Sequence, residues 1–391
     1  MDASSTAGVS SPHAPAVGFP SGMPRDLRSI LARPGPVLAL APMQDVTDLP
    51  FWGVLARRGG PDLYWTEYFR VHGTSTLDAP ILRSLVENPT GRPAIAQLIG
   101  NDPVALAKAA VELQRYPVAA VDLNLGCPAP VVYRKCAGGG LLREPHRIDA
   151  ILGTLRQVVT SVPFTVKTRV GFADDSGWDA LLELFARHRI DLLTVHGRTV
   201  SGMYRTEVRT DWIARAVEAM PCPVLANGNV HSPERARQVL GETGARGLMI
   251  GRGCIRNPWI FDQIRQHRST GTWRSPLGRE VLDYVTDLYE STRPSAGFRE
   301  RLQVEKMKKY MNFIGEGVHP DFLHRIRRAT TREEFFACCR DHLDHGSPMP
   351  LVPPPLPAHA AGVGAVGDAV PTGVPDLSAS DPGDPAHGVT Q

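Results

Sequence analysis

A cysteine on a turn directly after an apolar run is the feature of this chain with the plainest chemical potential. In VDLNLGCPAP the run 119–123 ends in Asn124, and Gly126-Cys127-Pro128 follows. Gly126 gives the backbone freedom to turn, and Pro128 stiffens the exit. Structural cysteines sit buried within elements, whereas reactive ones sit partly exposed beside polar or charged neighbours. The pattern therefore expects the Cys127 thiol on an exposed turn, available as a nucleophile or an acid. Cys136, ahead of Ala137 and three glycines, suits packing at a helix start instead. A Gly-Cys-Pro turn is a weak sign by itself, so its weight depends on what else converges there.

Two glycine clusters carry a second chemistry. ANGN (226–229) and IGRG (250–253) each close an apolar run. Glycines let backbone N–H groups approach an anion, a following helix start favours negative charge, and Arg252 offers a guanidinium fork. Asn227, Gly228, Asn229, Gly251 and Arg252 are thus expected to hold a phosphate. Lys167, Gln97 and Met43 stand at the ends of other runs. A lysine so placed could form a Schiff base. It could equally neutralise the N1–C2=O edge of a reduced flavin while a glutamine amide bonds the pyrimidine edge. Phosphate clamp, lysine and glutamine together fit FMN better than a small sugar phosphate.

These residues meet only if the elements between them form a ring. Eight short apolar runs recur: VLALA (37–41), LYWTEY (63–68), AIAQLI (94–99), AAVDLN (119–124), FTVKTR (164–169), LLTVHG (192–197), VLANG (224–228) and GLMIGRG (247–253). A segment with helical spacing follows each, which predicts an α/β chain folded as a (β/α)8 TIM barrel. An open doubly wound sheet is the competitor, but no G-x-G-x-x-G follows the first run. In a barrel all the run ends lie on one rim, which gathers Pro42, Met43, Gln44, Glu67, Gln97, Asn124, Cys127, Lys167, Arg169, His196, Asn227 and Arg252 at one mouth. The expected organisation is a flexible extension (1–35), the barrel (36–274), a small C-terminal helical domain (275–344) and a disordered Pro/Gly/Ala-rich tail (345–391).

The helical domain has eleven Lys or Arg against six Asp or Glu between Arg293 and Arg340, a basic surface within a chain of net charge only +3. Such a surface is either a solvated face or a nucleic-acid footprint. None of the six cysteines forms a C-x-x-C pair, so neither a metal site nor a disulfide framework is expected. No run approaches the ~18 apolar residues of a membrane span, and the first residues lack a signal-peptide core. A cytoplasmic monomer without membrane contact is expected.

With these residues assembled, the chain resembles the bacterial tRNA-dihydrouridine synthases. APMQDVTD (41–48), TEYFRV (66–71), AQLIG (96–100), VDLNLGCP (121–128), RKCAGGGLL (134–142), VKTRVGF (166–172), VHGRT (195–199), Asp211-Trp212, ANGNV (226–230) and MIGRG (249–253) follow in the family's order. The resemblance spans about residues 37–344. It implies FMN at the barrel mouth, reduced by NADPH or NADH, and a tRNA partner held by the helical domain. Hydride would pass from the flavin to C6 of a uridine, and Cys127 would donate a proton to C5. Flavin contacts would fall to Pro42, Met43, Gln44, Gln97, Lys167, His196, Asn227, Gly228, Asn229, Gly251 and Arg252, with Asn124 and Arg169 facing the substrate or the ring. One departure is Asn229, where many relatives carry an acid; the Pro-rich tail is another. Two other readings use the same residues: a flavin barrel acting on a free pyrimidine, and a non-catalytic RNA chaperone. The first leaves the basic helical domain without a purpose, and the second leaves Cys127 without one.

Overall fold

A computed structural model describes residues 26–294, 297–349 and 351–354. All eight runs are strands: β1 (Val37–Leu40), β2 (Tyr64–Arg70), β3 (Ala94–Ile99), β4 (Ala120–Leu125), β5 (Phe164–Arg169), β6 (Leu192–His196), β7 (Val224–Asn227) and β8 (Gly247–Ile250). Hydrogen-bonded neighbours run β1-β8-β7-β6-β5-β4-β3-β2, each adjacent pair being parallel. A bridge between Ala39 and Leu63, with the Leu40 N–H donating to the Leu63 carbonyl at 3.0 Å, closes the ring. Parallel neighbours require crossovers, and helices such as Pro103–Leu113 and Pro145–Val158 supply them on the outside.

Period-two alternation sorts each strand into an outer and an inner face. Leu38, Leu40, Ala96, Leu98, Val121, Leu123, Val166, Leu193, Val195, Ala226, Leu248 and Ile250 pack outward on the helices. The inward set is layered. Val37, Ala39, Trp65, Ile95, Ala120, Leu192, Leu225 and Met249 fill the lower barrel as a separate apolar cluster. Two residues further along the same inner faces, polarity takes over with Gln97, Asp122, Lys167, Thr194 and Asn227, and then Asn124, Arg169 and His196. The lower layer is dry packing, and the upper layer is the floor of a polar mouth.

The boundaries differ from the sequence expectation at both ends of the described chain. Leu27–Ala32 is a helix, N-capped by the Asp26 side chain, rather than flexible extension. Leu27 and Ile30 are fully buried in the lower cluster and stopper the barrel from below. At the other end, Pro348 pairs with Leu277, and Met349 and Leu351 are buried, so the first residues of the expected tail belong to the helical unit. Residues 1–25 and 355–391 lie outside the described residues.

Helices Gly278–Ser291, Glu300–Ile314, Pro320–Arg328 and Arg332–Leu343 build that unit around Tyr284, Leu288, Val304, Met307, Phe335 and Leu343. It docks on the barrel through Asp287, which receives Arg57 at 2.6 Å and Arg58 at 2.7 Å. Arg299, Arg301, Arg328 and Arg340 are exposed and form no ion pair among the described residues. No helix among those residues is long and apolar enough to cross a membrane.

Candidate active site

β4 delivers the thiol. Asn124, inward on that strand, accepts the backbone N–H groups of Gly126 at 3.0 Å and Cys127 at 2.9 Å through its Oδ1. The glycine run covers the turn from the other side: the Gly139 N–H donates to the Cys127 carbonyl at 3.1 Å. A Cβ at Gly139 would stand 2.9 Å from that oxygen and 2.5 Å from Val200 Cγ2, so only glycine approaches this closely. Cys127 is consequently half-buried, packed with Tyr68, Ile99 and Val132, rather than exposed as its turn alone suggests. Burial pushes the thiol above its ordinary value, opposed by hydrogen bonds from Ala129 and Tyr68. At neutral pH it keeps its proton. Cys136 has φ +52°, and its thiol donates to Glu144 Oε1 at 2.8 Å.

Beneath the turn runs a chain of buried hydrogen bonds. Asn124 Nδ2 donates to Gln97 Oε1 at 2.8 Å, and Gln97 Nε2 donates to Asp122 Oδ2 at 2.7 Å. The Thr165 hydroxyl donates to Asp122 Oδ1 at 2.5 Å. Asp122 is fully buried, and burial raises its pKa to about 6, so it is ionised at neutral pH. An ionised carboxylate only accepts, which fixes the polarity of the amides above it: Gln97 must present its nitrogen downward and its oxygen to Asn124.

The opposite side of the mouth is cationic. Lys167 Nζ donates to Asn227 Oδ1 at 3.1 Å, and Asn227 Nδ2 is tied to the Met249 carbonyl at 2.7 Å. Burial, with Arg169 nearby, lowers the Lys167 pKa to about 8. Asn229 Oδ1 draws Arg252 to 3.2 Å and Arg198 to 3.4 Å. Asn229 has φ +47°, a left-handed conformation that asparagine tolerates better than most residues. Arg198 is fully buried, and burial holds its pKa down at about 10. Arg169 is spent on carbonyls, those of Gly126 at 3.0 Å, Thr199 at 2.8 Å and Met203 at 2.7 Å, so it braces the Cys127 turn from this side. Among the described residues no salt bridge neutralises Lys167, Arg169, Arg198 or Arg252. Burial, then Arg169 and Lys167, hold His196 well below its ordinary value, so its ring is neutral.

Four cations without a salt bridge, Arg169 and Arg198 buried and Lys167 and Arg252 half-buried, favour an anion, and two buried polar atoms there lack a partner among the described residues. His196 Nδ1 and Gln44 Oε1 are buried with no hydrogen-bond partner among the described residues. Pro42, Met43 and Gln44 follow β1 half-buried, and a Cβ on Gly251 would meet the Met43 sulfur at 3.4 Å. Gly228 has φ +132°, backbone that other residues rarely adopt. Cations at β6–β8, an amide floor and open donors and acceptors fit an anionic ligand with a hydrogen-bonding heterocycle. The residues expected for FMN are suited to that group.

Several residues of the mouth had no assigned role in the sequence. Asp122 lies inside the VDLN motif, and a charge at an inward position of an apolar strand was the available signal. Glu67, midway along β2, accepts the Val46 N–H at 3.2 Å, and burial followed by Asp48 and Asp45 raises its pKa to about 8. Arg198 stands in VHGRT. Tyr204 carried no signal, because the loop that brings it inward has no periodicity. Its partly exposed ring lies under Arg252 at 4.4 Å and Arg169 at 5.3 Å.

Comparison with known proteins identifies the family. The family model described as "Dihydrouridine synthase (Dus)" matches residues 39–340. The chain is 37% identical over 259 residues to tRNA-dihydrouridine synthase B of Vibrio cholerae, covering 65% of this chain and 80% of that protein. It is 32% identical over 335 residues to tRNA-dihydrouridine synthase B of Xanthomonas campestris pv. campestris, covering 83% and 97%. A tRNA-dihydrouridine(16) synthase of Ralstonia nicotianae is 34% identical over 262 residues, covering 64% and 80%. A match across the barrel and most of the helical unit places the chain, as an enzyme, in the dihydrouridine synthase family.

Proposed function

We propose that this enzyme reduces the C5–C6 double bond of uridine in tRNA to 5,6-dihydrouridine, using FMN as resident cofactor and NADPH or NADH as reductant. The observation that carries this reading is the placing of the Cys127 turn and of four cations without a salt bridge, Lys167, Arg169, Arg198 and Arg252, at one barrel mouth. When bound, FMN supplies the hydride that reaches C6. Arg252, Arg198 and the backbone at Gly228 and Gly251 would bind its phosphate; Lys167, Gln97, His196, Gln44 and Met43 would hold its ring. Cys127 gives its proton to C5 and recovers one from solvent. Asn124 and Arg169 line the substrate side, where their bonds to the Cys127 turn keep the thiol in place.

The uridine must leave the folded tRNA to reach Cys127, at a cost of a few kcal/mol. Phosphate contacts from Arg299, Arg301, Arg328 and Arg340 offset that cost. The Tyr204 ring, flanked by two guanidinium groups, is a surface of the kind unpaired bases stack on. The test is direct: purified protein, FMN, NADPH and tRNA lacking dihydrouridine should yield dihydrouridine. Turnover of free uracil or orotate at rates matching tRNA would overturn the assignment of substrate.

A further inference from the structure

The turn that follows β1 is held by the helical domain. Tyr310, fully buried on helix Glu300–Ile314, donates its hydroxyl to the Val46 carbonyl at 3.0 Å. Its ring stacks on Phe51 with centroids 5.9 Å apart and planes 10° from parallel. One helical turn earlier, Lys306 Nζ reaches Asp48 Oδ2 at 2.8 Å. From the barrel side, Glu67 accepts the Val46 N–H at 3.2 Å. Val46 is therefore gripped through its N–H by β2 and through its carbonyl by the other domain.

The turn between these anchors is conformationally committed. Asp45 has φ +60°, a left-handed turn conformation that aspartate adopts more readily than most residues. Thr47 Oγ1 accepts the Met43 N–H at 2.8 Å and donates to the Met43 carbonyl at 3.2 Å. Met43 and Gln44 lie inside this closed turn, so their positions depend on where Val46 and Asp48 are pinned. We propose that Tyr310, assisted by Lys306, is a positioning residue of the flavin site, through which the helical domain sets the geometry of the Met43–Gln44 contact. This rests on the reading that FMN occupies the mouth. It gives the helical domain a part in cofactor retention, separate from any contact with RNA.

The decisive comparison uses the full-length protein and FMN, followed by flavin fluorescence for Kd and dissociation rate, with melting measured in parallel. Tyr310→Phe keeps the ring stack and deletes the hydrogen bond; FMN Kd should rise about fivefold, as expected for one ordinary hydrogen bond. Gln303→Met is the control. Gln303 lies on the same helix but bonds Tyr289 and Thr292 within the helical domain, at 2.8 and 2.9 Å. It should lower the melting temperature and leave FMN Kd unchanged. Should Tyr310→Phe fail to fold, Lys306→Met, at a half-buried surface position, should show a smaller weakening of the same sign. FMN Kd unchanged in the folded Tyr310 or Lys306 variant, with wild type binding FMN normally, overturns the inference alone. A wild type that binds no FMN overturns it together with the reading beneath it.

Discussion

Asn124 Oδ1 accepts the Cys127 N–H at 2.9 Å while Asn124 Nδ2 donates to Gln97 at 2.8 Å. One side chain thus joins the thiol-bearing turn to the amide floor, and the floor is oriented from below by Asp122. The thiol is placed by strand-borne groups rather than by a free loop, which is the condition for proton delivery to one chosen carbon.

Gly139 is predicted to be intolerant of the smallest side chain. A Cβ there meets Val200 Cγ2 at 2.5 Å and the Cys127 carbonyl at 2.9 Å, so the turn must shift. Gly139→Ala should lower kcat by about 10- to 100-fold, the scale of a misplacement near 1 Å. FMN Kd should change little, because the phosphate side is untouched. Steady-state kinetics alongside flavin titration separates the two effects; wild-type kcat in a folded variant would contradict the packing argument.

The charge on Lys167 predicts a pH dependence of cofactor affinity. Its pKa, lowered to about 8, leaves it charged below that pH and neutral above it. An anionic ligand favours the charged form, so FMN affinity should fall as pH rises through about 8 and binding above it should take up a proton. Lys167→Met should bind more weakly at pH 7 and lose that dependence. Titration of FMN binding from pH 6.5 to 9.5 checks both (the range is about 1.5 pH units on either side of that pKa).

Asp122 should be replaceable by an acceptor and not by an apolar residue. Asp122→Leu leaves Gln97 Nε2 and the Thr165 hydroxyl buried without a partner, each costing about 1–3 kcal/mol. It should lower both melting temperature and FMN retention. Asp122→Asn can still offer an oxygen to Gln97 and should keep most of both. Equal loss in the two variants would show that charge, not amide orientation, is what Asp122 contributes.

The eight strands were legible because each is a short apolar run with a polar stop, and closure followed from their number and from parallel pairing. The mouth was legible for the same reason: a strand-end position is fixed by period two. Three things escaped. Leu27 and Ile30 lie in a six-residue helix after a Pro- and Gly-rich start, too short to show periodicity, yet the open barrel bottom needs a stopper. Met349 is brought in by the pairing of Pro348 with Leu277, a long-range contact with no local signature, and Leu351 is buried beyond it. Arg169 was legible as a strand-end residue while its carbonyl partners in loops were not, and Tyr204 and Tyr310, reaching in from a loop and from another domain, left no local sign. Cys127 shows the same limit, since its turn is covered by glycines ten or more residues later in the chain.

The central claim is that Cys127 donates the proton to uridine. It is tested most directly by reducing the FMN-loaded enzyme with NADPH, removing excess reductant and following flavin reoxidation on adding tRNA that lacks dihydrouridine. Cys127→Ala should bind FMN and be reduced normally, yet reoxidise with tRNA about 10²- to 10⁴-fold more slowly, as expected for loss of a general acid. Cys136→Ala should match wild type. Normal reoxidation and product in Cys127→Ala, with failure in Cys136→Ala, would contradict the account.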